Sequence, residues 1–221
     1  MKLKNRIIQK LKVILGLGKA SSPLRNGPNG SYIFIHINKT GGTSIAKAIG
    51  LTVKKHLTAE QVITQIGERA FNDAFVFTVV RNPWSKVVSH YKFRVKTNQT
   101  SLKTNPLDFN EWVKCTYGPE KNLFYYDQPT MFQPQLSWLK NSSGELVVPH
   151  IIRFEKLAEE FKPIALKLGI HTELPHLNAT KKESYTTYYN PESQQIIANW
   201  FKEDVAYLIT FLERPNVLLI P

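Results

Sequence analysis

Tyr32-Ile33-Phe34-Ile35-His36-Ile37-Asn38-Lys39-Thr40-Gly41-Gly42-Thr43-Ser44 decides the fold. The first six residues are β-branched, aromatic or apolar, which predicts a buried strand. The paired glycines follow, then a helical stretch over residues 45–49 closed by Gly50. Strand, glycine loop and helix make a phosphate cradle. Glycine lets backbone N–H groups approach an anion, and the helix N-terminus adds its positive dipole. Thr40, Thr43 and Ser44 offer hydroxyl donors, and Lys39 offers a point charge. The lysine precedes the glycines, unlike the GxxxxGK[ST] loop of NTPases. A plain turn capped by Thr or Ser fits the same residues.

A second strand, Phe75-Val76-Phe77-Thr78-Val79-Val80, runs into Arg81-Asn82-Pro83. Residues 84–95 read as a helix with its proline just before the first turn. Ser89 follows Arg81 by eight residues, about two turns into that helix and near the same side. A Mg²⁺-dependent phosphotransferase places an Asp at such a strand end. Arg binds phosphate directly and repels a cation. The two loops therefore predict a nucleotide with two separate anionic groups, handled without metal. A surface ion pair for Arg81 and a plain helical role for Ser89 are the alternatives.

Working outward, residues 51–55 read as a short strand, 59–67 as a helix, and 108–115 and 130–139 as helices. Residues 150–154 read as a third strand, 155–168 as a helix, and 191–212 as one long helix. The alternation predicts an α/β, P-loop-like three-layer fold with a central parallel sheet flanked by helices. Ligands in such sheets bind beyond the carboxyl ends of the strands, where both loops fall.

The chain has 221 residues, of which 42% are hydrophobic, so disorder is excluded as the whole answer. Its net charge of +12 asks for an anionic partner, and its single cysteine, Cys115, excludes an intrachain disulfide and a zinc-thiolate cluster. Residues 1–19 carry Lys2, Lys4, Arg6, Lys10, Lys12 and Lys19 without an acid, and their apolar residues recur at helical spacing. This predicts a basic amphipathic helix, lying on an anionic membrane face or packed on the domain. Its apolar run, residues 13–18, is too short to span a bilayer. Residues 20–30 read as a linker, which makes 1–30 an N-terminal helix and linker and 31–221 the main domain.

Together, the two motifs resemble the sulfotransferases that use 3′-phosphoadenosine 5′-phosphosulfate (PAPS). The resemblance is to the carbohydrate branch that includes the heparan and dermatan 2-O-sulfotransferases and their small bacterial relatives. Residues 34–44 resemble that family's 5′-phosphosulfate loop, and Val80-Arg81-Asn82-Pro83 through Ser89-His90-Tyr91 its 3′-phosphate motif. A weaker match, Ile152-Arg153-Phe154-Glu155-Lys156-Leu157, resembles a later strand-to-helix step, and the likeness runs over roughly residues 31–212. It implies that Lys39 contacts the leaving phosphate and the transferring sulfuryl group. Thr40, Gly41, Gly42, Thr43 and Ser44 would bind the 5′-phosphosulfate, and Arg81 and Ser89 the 3′-phosphate. Apart from the resemblance, Lys181 and Lys182, beside Tyr185 in the late loop, are candidates to close over the 3′-phosphate or to meet an acidic acceptor, with a solvated surface as the alternative. The eukaryotic members carry a membrane anchor and disulfides. Their absence here predicts a bacterial, cytoplasmic enzyme, peripheral at the inner membrane face.

Sulfuryl transfer needs a base for the acceptor hydroxyl, and histidine suits neutral pH. Of the six histidines, His36 lies inside the first strand and reads as a core residue, and His90 faces away from Ser89. His56 follows a strand between the two motifs, where the 2-O branch holds its catalytic histidine, so the resemblance makes it the general base, with His176 in reserve. Arg94 and Lys96 are candidate acceptor contacts, and Gln133, Gln135 and Trp138 candidate linings of the acceptor cleft. The expected partner is a carbohydrate, most simply an anionic glycan, and not nucleic acid. A small-molecule kinase with a P-loop and a basic nucleic-acid-binding protein are the alternatives. The first would need a Mg²⁺ carboxylate where Arg81 stands, the second a recognisable binding motif.

Overall fold

The computed structural model describes residues 22–51, 56–170, 174 and 184–212. The readings of residues 1–19, the strand at 51–55, His176, Lys181 and Lys182 fall wholly or mainly outside the described residues.

Among the described residues, the strands β1 (Leu24–Gly27), β2 (Gly30–Ile35), β3 (Phe75–Val80) and β4 (His150–Arg153) form one sheet in that order. β2, β3 and β4 run parallel, with Tyr32 opposite Phe75 and Phe77 opposite His150. β1 is an antiparallel edge, with Leu24 opposite Ile33. Part of the stretch expected as a linker is thus a strand, reached through the turn Gly27-Pro28-Asn29-Gly30.

The helices are α1 (Gly42–Ala48), α2 (Ala59–Ile66), α3 (Glu68–Asn72), α4 (Pro83–Lys96), α5 (Phe109–Tyr117), α6 (Pro129–Phe132), α7 (Leu157–Lys167), α8 (Pro191–Trp200) and α9 (Lys202–Leu212). Local chemistry sets their starts. Thr58 and Gln61 form a reciprocal capping box on α2. Asn82 caps α4 and Asn190 caps α8, each with proline at the next position. The helix expected over 130–139 is instead α6 and a 3₁₀ turn, Leu136–Trp138, because Pro134 between them cannot continue a helical ladder. The long helix expected over 191–212 is interrupted at Phe201, whose backbone leaves helical geometry at φ −103° and ψ 26° and whose ring is fully buried.

Alternating side chains send the sheet's two faces into separate cores. Ile33, Ile35, Val76 and Ile151 pack with Val62, Phe71 and Trp138. Tyr32, Phe77, Val79 and Ile152 pack with Ile45, Phe161 and Ile164. Each such fully buried side chain contributes about 1.5–3 kcal/mol. The sheet is therefore covered on both faces, the three-layer α/β arrangement expected. A third core joins Val87, Trp112, Phe132, Ile197 and Phe201 and seats α4 against α5 and α8. The carboxyl ends of β2 and β3 open towards α1 and α4, and the site is built there.

Candidate active site

The loop after β2 is set by backbone conformation. Lys39 sits at φ 65° and Gly41 at φ 85°, so the chain turns twice through left-handed geometry before α1. A Cβ on Gly41 would crowd the Phe154 ring. A Cβ on Gly42 would overlap the His36 imidazole. The His36 ring is buried against Gly42, and burial, with His56 and Lys39 nearby, lowers its pKa to about 3. His36 is therefore a neutral wedge under the loop. No side chain caps α1, and its first turn carries no acid. The Gly42 and Thr43 N–H groups thus begin the helix where an anion would be stabilised.

The loop hydroxyls divide. Thr40 Oγ1 donates to Ile37 O at 2.9 Å and is fully buried, so this hydroxyl, expected to face the ligand, braces the loop from inside. Thr43 is exposed and Ser44 half-buried.

Arg81 meets this loop. Its guanidinium donates to Lys39 O at 3.1 Å and to Ser85 Oγ at 2.8 and 3.0 Å, and lies 4.1 Å over the Phe154 ring. Burial lowers its pKa to about 10, which leaves it charged, and Glu155 opposes the shift. Glu155 also accepts from Asn82 N at 2.9 Å, tying the second motif to the turn after β4. Ser89 lies one turn beyond Ser85 on the same side of α4, half-buried. Phe93 follows one turn later, and Lys39 Nζ sits 4.0 Å over its ring. Burial, then the charges of Arg81 and Lys96, lower the Lys39 pKa to about 8. Lys39, Arg81 and the glycine loop thus converge at neighbouring strand ends, and Ser89 lies between Ser85 and Phe93 on the side of α4 that faces them.

His56 joins them. Its Nδ1 lies 2.9 Å from His36 O, and its ring is 4.3 Å from the His36 ring. A carbonyl can only accept, so Nδ1 carries the hydrogen and Nε2 keeps its lone pair in the neutral ring. Trp138, fully buried, presents its edge to His56 at 6.4 Å.

Other candidates are spent elsewhere. Arg94, expected as an acceptor contact, is 1% exposed and bonds Asp127 at 2.9 Å. The stripe of α4 it occupies faces the third core rather than solvent. Arg153 pairs with Glu160. His90 is buried, which pushes its pKa well down. Gln135 is buried and grips Arg81 rather than lining a cleft. Sequence reading missed Ser85, Phe93 and Glu155 as site residues. Ser85 and Phe93 were findable from the helical spacing of 81, 85, 89 and 93. Glu155 needed the chain's third dimension.

The α/β fold thus gathers cationic side chains and a glycine loop at the ends of its parallel strands. Residues 28–216 match the sequence model of the Sulfotransferase family. The chain belongs to that family. It is 28% identical over 131 residues, 58% of this chain and 97% of the other, to an uncharacterized protein of Archaeoglobus fulgidus. Two solved structures are similar. One is a sulfotransferase from Alicyclobacillus acidocaldarius, with 17% identity, TM-score 0.43 and coverage of 71% of this chain and 61% of that one. The other is mouse sulfotransferase SULT7A1 complexed with PAP, with 12% identity, TM-score 0.47 and coverage of 86% and 99%. The chain thus spans less than two thirds of the Alicyclobacillus protein.

Proposed function

We propose that this chain transfers a sulfuryl group from PAPS to a hydroxyl of a carbohydrate acceptor. The observation that carries the reading is the bond from the Arg81 guanidinium to Lys39 O, which joins two anion-binding loops into one site. A ligand with phosphates at both ends of an adenylate suits that geometry. The glycine loop and Lys39 would hold the 5′-phosphosulfate, and Arg81 with Ser89 the 3′-phosphate.

In the reaction, the acceptor oxygen bonds to sulfur while the sulfur–oxygen bond to the 5′-phosphate breaks. The products are a sulfate ester and adenosine 3′,5′-bisphosphate. Lys39 offsets charge gathering on the leaving phosphate. His56 Nε2 takes the hydroxyl proton, and the His36 carbonyl holds the ring in the tautomer that leaves Nε2 free to do so. No step calls for a metal, because arginine and lysine carry the charge stabilisation. The excess of positive charge suits an anionic glycan. The basic stretch 1–19 would bring the enzyme to an anionic membrane face on the cytoplasmic side. Vesicle pelleting with and without these residues tests that part.

Calorimetry tests the donor. Adenosine 3′,5′-bisphosphate should bind without metal and more tightly than ATP with Mg²⁺; the reverse order would favour a kinase. A glycan screen with radiolabelled PAPS then identifies the acceptor, and label on protein or lipid alone would reject the carbohydrate.

A further inference from the structure

Gln135 lies 54 residues from Arg81 in sequence, yet its side chain closes a two-point latch on the Arg81 backbone. Arg81 N donates to Gln135 Oε1 at 2.9 Å, and Gln135 Nε2 donates to Arg81 O at 2.8 Å. The side-chain amide thus pairs with Arg81 as a neighbouring strand would, one residue past the end of β3. The latch is itself held. Asp204, on α9, accepts from Gln135 N at 2.7 Å and from Gln135 Nε2 at 3.2 Å through Oδ2, and from Leu136 N at 3.0 Å through Oδ1. Gln135 is 1% exposed and Asp204 2% exposed. Both hydrogens of the Gln135 amide are then engaged, and its rotamer has no freedom left.

Burying a carboxylate costs free energy unless it is well compensated. Asp204 has N–H donors on both oxygens and the nearby charge of Lys86, whose buried Nζ has no hydrogen-bond partner. This outlay is hard to account for by packing alone. An apolar side chain would fill the same space without desolvating a charge. What the arrangement delivers is a fixed Arg81 peptide at the point where the chain leaves the sheet.

We propose that Gln135 and Asp204 are positioning residues for the 3′-phosphate end of the site: Asp204 locks the Gln135 side chain, and Gln135 aims Arg81 by clamping its backbone. This rests on the reading of Arg81 as the 3′-phosphate ligand. The guanidinium is steered at its far end by Ser85 and the Lys39 carbonyl. The latch fixes the near end. An arginine held at both ends presents its fork in one orientation, and a shift on the order of 1 Å is enough to degrade a preorganised site. Helix α9 thereby helps to build a site whose ligands lie far earlier in the chain.

The test uses the full chain with two probes, adenosine 3′,5′-bisphosphate and adenosine 5′-monophosphate, which lacks the 3′-phosphate. In Gln135→Ala, bisphosphate affinity should fall about tenfold or more while monophosphate affinity stays within about twofold. Exchange of the Arg81 amide hydrogen, followed by NMR, should speed up at least ~10-fold. Asp204→Asn should likewise lower bisphosphate affinity and speed exchange of the Arg81 amide, with monophosphate affinity again within about twofold. If that variant does not fold, Gln135→Ala decides alone. Equal weakening for both nucleotides in a folded Gln135→Ala protein, or unchanged bisphosphate affinity, overturns the proposal in favour of a merely structural role. An unchanged Arg81 amide overturns the latch itself. Arg81→Ala is the separate control: if it discriminates between the two nucleotides as strongly as the unsubstituted chain does, Arg81 does not read the 3′-phosphate, and the latch loses its function.

Discussion

The Nδ1 of His56 sits 2.9 Å from the carbonyl oxygen of His36, the residue whose own ring is wedged under Gly42. One residue therefore supports the donor loop with its side chain and orients the candidate base with its backbone. Loop and base are set by the same short segment leaving β2.

The first consequence concerns His56. If Nε2 takes the acceptor proton, His56→Ala should lose at least ~100-fold in turnover while adenosine 3′,5′-bisphosphate binds as before. The measurement is single-turnover transfer beside calorimetry on the same preparation. Turnover near that of the unsubstituted chain would reject His56 as the base.

Gly42 has no room for a side chain, because a Cβ there would occupy the space of the His36 ring. Gly42→Ala should weaken nucleotide binding by roughly tenfold to a hundredfold, either by displacing the loop or by expelling the ring. His36→Ala empties the wedge, so the double variant should recover part of the loss. Additive losses in a double-mutant cycle would show that the two positions act independently.

How much of this was legible in the sequence follows from the range of each interaction. β3 could be read residue for residue, since an unbroken β-branched and aromatic run has one economical use. The glycine loop and Arg81 were legible because turn chemistry and strand ends are local features. The bond between them was not, since it joins residues 42 apart through a sheet register that local pattern does not encode. Gln135 read as a candidate lining of the acceptor cleft and Asp204 as a helical surface residue, because the latch they form joins segments that local pattern does not bring together. Arg94 misled for the opposite reason. A basic residue near a phosphate motif suggests a ligand contact, whereas Arg94 is itself buried and an ion pair with Asp127 occupies it. β1 was hidden in a run of Ser, Pro, Asn and Gly, where turn residues outnumber those of a short edge strand.

Lys39 gives the site a pH limit. Burial together with Arg81 and Lys96 brings its pKa down to about 8, so it is a cation below that pH and neutral above. Arg81, at about 10, stays charged over the same interval. Affinity of the free protein for the nucleotide should hold below pH 8 and then weaken by up to roughly tenfold per unit. Lys39→Arg should carry binding to higher pH, because a guanidinium does not lose its proton there. Calorimetry across that range reads the limb directly. An affinity flat through pH 9 in the unsubstituted chain would mean that the Lys39 charge is not part of binding.

Lys86 predicts a pH dependence of stability rather than of binding. Its ammonium is fully buried on α4, and burial lowers its pKa from 10.5 to about 8 despite the attraction of Asp204. Between those two values the unfolded chain holds the proton and the folded chain does not. The unfolded state thus binds more protons, and this group's contribution makes stability rise with pH across the interval, by up to roughly 3 kcal/mol. Below pH 8 both states are protonated and the cost of burying the charge is constant. Lys86→Met, of similar length and able to pack against Phe201, removes that cost and should flatten this contribution. Denaturant titrations of both proteins between pH 7 and pH 10 isolate it as a difference, which cancels the shared titration of the remaining lysines and tyrosines. A difference that does not change with pH would mean that Lys86 titrates alike in the folded and unfolded chains, and that its buried charge is better compensated than the surrounding side chains account for.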